Sequence, residues 1–155
     1  MRPKSLFDTG LNYVGLKEVP GIGSNQLILS WIQRFYPQIT DDSQCAWCSI
    51  FMLVLFKECW YHTQGANPMA KSWANLADST EIGLLDAQRD DLAIFHRGDP
   101  TSWKGHVGVI GNINVEGNIV LLSGNHRNQV TLEAWPTDKL YKIIRPCGDM
   151  EGYII

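Results

Sequence analysis

Three residue types in this chain could together cut an amide bond: a thiol, an imidazole and a carboxamide. Cys48 ends a polar approach, Asp41-Asp42-Ser43-Gln44-Cys45-Ala46-Trp47, and leads into an apolar run from Ile50 to Phe56. A thiol is a poor nucleophile until its thiolate is stabilised, and the free N–H groups and dipole of a helix start favour that state. The apolar run predicts a helix from about Ala46 to about Tyr61, with Cys48 at its start and Cys59 deep inside it. A base must then accept the thiol proton and return it to the leaving amine. Four histidines compete for that role. His62 follows the helix as a surface or C-cap residue, His96 sits at a strand end where it could face solvent, and His126 lies in a turn. His106 opens Gly105-His106-Val107-Gly108-Val109-Ile110, where flanking glycines allow close approach by backbone or substrate. That favours His106 without excluding the others. A third polar group should fix the imidazole tautomer. Asn125 follows the run Ile119 to Leu122, a natural hairpin neighbour of the His106 run, and could sit beside it. Each residue also has a plainer reading: Cys48 as a small buried hydrophobe, Asn125 as the turn-former of Ser123-Gly124-Asn125-His126.

Two other uses of the cysteines can be weighed on spacing. Cys45, Cys48, Cys59 and His62 have a zinc-like pattern. Between Cys48 and Cys59, however, no glycine, proline or turn residue interrupts the chain. Eleven helical residues at about 1.5 Å each would hold the two sulfurs roughly 16 Å apart, too far to share one ion. A redox Cys-x-x-Cys would normally follow a buried strand, whereas the polar stretch from Asp41 to Gln44 precedes this one. The expectation is a site with no metal and no cofactor.

The elements that must position these residues fall into two halves. Residues 5 to 16 suit a short amphipathic helix around Leu6, Phe7, Leu11 and Val14, broken at Gly15. The turn-rich connector from Lys17 to Gly23 follows. Ser24 is the expected N-cap of a helix carrying Leu27, Ile28, Trp31, Ile32 and Phe35. After the Cys48 helix, Gly65-Ala66-Asn67-Pro68 breaks the pattern before a short helix from about Ala70 to Leu76. The second half changes period. Leu92 to Phe95, His106 to Ile110, Ile119 to Leu122, Val130 to Trp135 and Leu140 to Ile144 are short β-rich runs separated by Gly, Asn and Pro. Helices followed by closely spaced strands predict an α+β fold, N-terminal helices packed on a C-terminal antiparallel sheet.

Composition bounds the rest. At 155 residues, 45% hydrophobic and 19% charged, the chain is expected to form a single domain, residues 1–155, around one core. A net charge of −3 with no basic run in the sequence argues against nucleic acid as a partner. Six tryptophans either line a groove or pack the core. Met1-Arg2-Pro3-Lys4-Ser5 does not lead into a signal-peptide apolar segment, and the longest apolar run, Ser49 to Phe56, is too short to span a membrane. The expectation is cytoplasmic synthesis, no membrane insertion, and carriage to any external substrate by another system.

Eight motifs in order give the chain a resemblance. They are Gly15-Leu16-Lys17-Glu18-Val19-Pro20-Gly21; Asn25 with Ile28-Leu29-Ser30-Trp31; Asp41-Asp42 before Trp47-Cys48 and Phe51; Ala70-Lys71-Ser72-Trp73; Asp91 before Leu92 to Phe95; Gly105 to Gly108; Gly124-Asn125 with Asn128-Gln129-Val130; and Arg145-Pro146. In this pattern, which spans roughly residues 11 to 146, the sequence resembles the CHAP/NlpC-P60-like cysteine peptidases of peptidoglycan, and closely resembles one compact subgroup of that papain-like superfamily. The resemblance implies a papain-like α+β domain that hydrolyses an amide bond in the peptide moiety of peptidoglycan, as endopeptidase or amidase. It implies Cys48 as nucleophile, His106 as base and Asn125 as the residue orienting the imidazole, with His126 the alternative because related families use histidine there. Asp42, Trp47, Trp73 and Trp103 are the candidate substrate-binding residues. A phage-type lysin or a delivered antibacterial effector is the expected use, with an immunity or delivery protein as a possible partner. The competing readings are an idle wall-binding module of the same fold and a cysteine hydrolase or acyltransferase acting on another amide or ester. Cys45, Ala46 and the pair Asp90-Asp91 depart from the family pattern without touching the proposed triad.

Overall fold

The computed structural model describes residues 3–21 and 23–147; Met1, Arg2, connector residue Ile22 and the tail 148–155 of the expected domain lie outside them. Among the described residues, three α-helices precede a six-stranded sheet: α1 (Leu6–Gly10), α2 (Gln26–Gln33), α3 (Cys48–Glu58), then β1 (Ser79–Ile82), β2 (Leu92–His96), β3 (Gly105–Ile113), β4 (Ile119–His126), β5 (Gln129–Trp135) and β6 (Leu140–Pro146). The sheet order is β1-β6-β2-β3-β4-β5, and every neighbouring pair is antiparallel. The α+β class and the antiparallel sheet are as the change of period predicted.

The differences are local and physical. The first helix stops at Gly10 and tightens into a 3-10 turn, Leu11–Tyr13. Asn25, not Ser24, caps α2: its Oδ1 accepts from the N–H groups of Leu27 and Ile28 at 3.0 and 3.2 Å, a cap of about 1 kcal/mol. Ser24 instead donates to the Gly21 carbonyl. Within α2, Ile28, Trp31 and Ile32 are buried as expected, but Leu27 and the following Phe35 are exposed. The stretch after Pro68 forms a 3-10 helix, Ala70–Asn75, rather than an α-helix. β1 was not legible: four residues, Ser-Thr-Glu-Ile, carry no apolar alternation and form an edge strand paired to β6.

The longest helix, α3, is apolar on nearly every side, which is the mark of a helix buried all round. Ile50, Phe51, Met52, Leu55 and Phe56 are all about fully buried, against β3 and β4 on one side and a core including Trp31, Trp73, Val107, Val109 and Leu122. The other face of the sheet carries a second cluster, Ala93, Phe95, Ile110, Ile119, Leu121 and Ile143. On that face the Phe95 and Trp135 rings lie 5.0 Å apart, although β2 and β5 are separated by two strands. In a flat sheet those strands would stand about 14 Å apart at 4.8 Å per step. The sheet therefore curls, and His106 and Trp135 meet inside the curl.

Two distant motifs meet in one ion pair. Asp91, 1% exposed, receives Arg145 through Nε at 2.8 Å and a terminal guanidinium nitrogen at 2.9 Å. This two-pronged pairing fixes the start of β2 to the end of β6.

Candidate functional site

Cys48 is the first residue of α3, with Trp47 as its N-cap. Its side chain, 4% exposed, opens on a cleft of about 250 Å³ lined by Met69, Ala70, Arg97, Trp103 and Lys104. The thiol meets the amide of Val107, the nitrogen of the peptide bond that joins His106 to Val107. Helix-start electrostatics alone predict a lowered thiol pKa. Burial instead pushes the Cys48 thiol up, and the N–H of Val107, the charge of Arg97 and the N–H groups of Ser49 and Cys48 act in the opposite direction without overcoming it. The correction has a plain cause: a thiolate nearly out of reach of water loses more solvation than the first turn returns.

His106, 3% exposed, is set on β3 by the pairs Phe95↔His106 and Ile94↔Val107. Gly108 lets β4 close against this strand, for a Cβ there would lie 2.6 Å from the Leu122 carbonyl oxygen. The imidazole stacks flat on Trp135, centroids 4.6 Å apart and planes 9° from parallel. Burial first, then electrostatic interaction with His126 and Arg97, lowers its pKa to about 3, so it is neutral across ordinary pH. Its Nε2 is buried without a hydrogen-bond partner. In a native interior such an atom calls for a functional account. His106 opens on a second cleft, of about 350 Å³, shared with His96, Asn125, His126 and Arg127. Arg97 lines both clefts.

The third residue is where the structure departs most from expectation. Asn125 is not past the end of its strand but within β4, at φ +54°, where the β4–β5 register shifts. With its amide oriented to satisfy both neighbours, it donates to Glu18 Oε2 at 3.1 Å and accepts from the Trp47 backbone N–H at 3.3 Å. Its partners are thus the cap of the Cys48 helix and a buried carboxylate, not the imidazole. His126 ends β4 rather than lying in a turn. Its Nε2 faces Glu133 at 3.1 Å, and its ring stands edge-on to His106 with centroids 6.0 Å apart. The observed orienting contact on the imidazole is the Trp135 face.

Glu18 is the residue that sequence reasoning left without a role, although the Gly-x-x-Glu-x-x-Gly motif marked it. It is 7% exposed and also accepts from the Trp47 indole N–H at 2.7 Å. Burial raises its pKa, the Trp47 bond opposes that, and Asp42 and Asp41 add to the rise. Gly124 completes the seat, because a Cβ there would press to 2.8 Å from the Trp47 ring and 2.9 Å from Phe51 Cβ.

Of the four expected substrate contacts, three are corrected. Asp42 is 0% exposed, its Oδ2 accepting from the Val19 and Asn25 N–H groups, so it pins the connector. Trp47 and Trp73 are also 0% exposed; the Trp73 indole donates to Ser49 Oγ at 2.8 Å and braces the first turn of α3. Trp103 stands 64% exposed on the wall of the Cys48 cleft. Cys48 and Cys59 stand at opposite ends of α3, and among the described residues no group of three His, Cys, Asp or Glu side chains could hold a metal. Nor is any described helix long and apolar enough to cross a membrane.

Neither a protein-family model nor a curated protein matches the chain. Among solved structures, the fold is similar to the crystal structure of a wild-type endolysin, LysIME-EF1, with a TM-score of 0.59 at 14% identity. The match covers 91% of this chain and 62% of that one, so this chain spans less than two thirds of the endolysin's length. The likeness is one of fold alone.

Proposed function

We propose that this protein is a cysteine-dependent hydrolase of papain-like type that cleaves an amide bond in the peptide moiety of bacterial peptidoglycan. The observation that carries the reading is the Cys48 thiol at the first turn of α3, held against the peptide bond between His106 and Val107, in a chain whose fold resembles that of an endolysin. Cys48 Sγ attacks the scissile carbonyl as its proton passes to neutral His106. The Cys48 and Ser49 N–H groups at the helix start steady the oxyanion. Collapse expels the amine, which takes the proton from His106, and water then hydrolyses the thioester. Because thiol and imidazole both rest neutral, the proton moves only once substrate has excluded water and its oxyanion has met the helix amides. Asn125 and Glu18 serve as positioning residues for Trp47, and so for the nucleophile.

The expected use is lysis or antagonism of a bacterial wall after release or delivery by another system, with an immunity or delivery protein as partner. Purified murein incubated with the protein should release soluble fragments bearing new amino and carboxyl ends, unaffected by EDTA, and Cys48→Ala should release none. The burial that keeps the thiol protonated also suits an idle wall-binding module, which would bind murein and create no new ends at any pH from about 5 to about 9, the span of histidine and cysteine titration.

A further inference from the structure

The sequence has no basic run, yet the fold assembles one. The charged side chains lining the two clefts beside Cys48 and His106 are Arg97, Lys104, Arg127 and Lys139. No aspartate or glutamate lines either cleft among the described residues, although the chain carries 16 acidic residues against 13 lysines and arginines. Arg127 is partly spoken for by Glu133, at 2.5 Å, and Lys71 nearby is held by the carbonyls of Pro100 and Ser102. Arg97 differs: among the described residues its guanidinium forms no hydrogen bond or ion pair, its backbone is fixed by donation to the Lys104 carbonyl at 3.3 Å, and it forms a wall of both clefts. It follows His96 at the end of β2, whose partner on β3 is Gly105, so the strand pair that places His106 places Arg97 too.

We propose that Arg97 is the carboxylate-binding residue of the Cys48 site, and that the substrate is a peptide bearing a free carboxylate close to the scissile amide, packed by its apolar part on Trp103. This rests on the hydrolase reading and narrows it to acidic peptides. A guanidinium presents paired N–H donors that match a carboxylate. A cleft lined by cations alone concentrates anions. Murein peptides that keep their carboxylates would therefore be cut in preference to those in which the same group is a carboxamide.

Alkylation of the intact protein separates anion recognition from turnover. Cys48 is labelled with anionic iodoacetate and with neutral iodoacetamide, and the ratio of the two rates is compared with that of a small free thiol. Any change in thiol acidity affects both reagents alike and cancels. The ratio should favour iodoacetate by about two- to fivefold, the scale of one partly exposed ion pair, and should fall with added salt. Arg97→Gln should return it to the free-thiol value, Arg97→Lys should keep part of it, and Lys104→Gln should lower it less than Arg97→Gln. In parallel, kcat/KM is measured on murein peptides differing only in carboxylate or carboxamide; wild type should prefer the acid and Arg97→Gln should not, the change lying mainly in KM. An iodoacetate ratio equal in wild type and Arg97→Gln, or one lost on Lys104→Gln instead, overturns the assignment, as does a wild type that cuts acid and amide equally. An Arg97-dependent ratio with no new murein ends leaves anion recognition standing and removes the hydrolase reading.

Discussion

The buried imidazole of His106 should make the folded protein lose stability in acid by a calculable amount. Its ring is 3% exposed and its pKa is lowered from 6.5 to about 3. A histidine so shifted binds its proton more readily in the unfolded chain. The stability it contributes is therefore complete above the unfolded pKa and lost as pH falls from there toward the folded one. Between pH 7 and pH 5 the unfolded chain takes up most of one proton that the native state refuses, which at about 1.36 kcal/mol per pH unit amounts to about 2 kcal/mol. Urea unfolding of wild type at several pH values, set against His106→Phe, isolates this loss because every other titration is common to both. Phenylalanine keeps a flat ring for Trp135 and cannot titrate. The difference between the two proteins should change by about 2 kcal/mol over that interval, wild type declining the more steeply. Parallel profiles would refute the reasoning, since they would mean that His106 takes up its proton in the native state as freely as in the unfolded one.

Further outcomes are expected at neighbouring positions. Trp135→Leu removes the ring that shields the imidazole, so the His106 C–H resonances, followed by NMR against pH, should titrate closer to 6.5. Glu18→Gln and Asn125→Ala should each lower kcat by about tenfold or more, the scale on which misplaced catalytic groups are felt, while leaving the His106 titration where it is in wild type. A shifted His106 titration in Asn125→Ala would show instead that Asn125 acts on the imidazole. Gly124→Ala must displace Trp47 or Phe51 and should cost about 1–3 kcal/mol in urea unfolding, as overpacking of a filled core does.

Much of the fold was legible because its signals are local. The uninterrupted apolar run from Ile50 to Phe56 could only be a buried helix, and five alternating or β-branched runs marked five of the six strands. What escaped depends on partners far away in the chain. Asn25 takes the cap from Ser24 because Ser24 is drawn to the Gly21 carbonyl and to the Asp42 N–H. Ser79–Ile82 is a strand only because β6 offers its edge. Asp42, Trp47 and Trp73 have the polar and aromatic character of groove residues, and sequence cannot say that folding seals each of them inside. The cationic lining was equally hidden, its members lying between Arg97 and Lys139 with no two adjacent.

Those three buried residues and Asn125 point to one division of labour. The proposed nucleophile, Cys48, is placed from beneath: Trp73 braces the Ser49 hydroxyl, while Glu18 and Asn125 hold the indole and backbone of Trp47. The proposed base, His106, is placed from the other face of the sheet, where the curl brings Trp135 against it. The two supports touch different elements, so damage to one need not loosen the other. A polar third residue bound to the imidazole would stabilise its charged form; a stacked indole offers no such bond and leaves the ring neutral. The cost of that arrangement is a weakly ionised thiol at rest. On the proposed hydrolase reading, its benefit is a base that stays deprotonated in mild acid, so that the charges needed for attack arise only when a substrate fills the cleft.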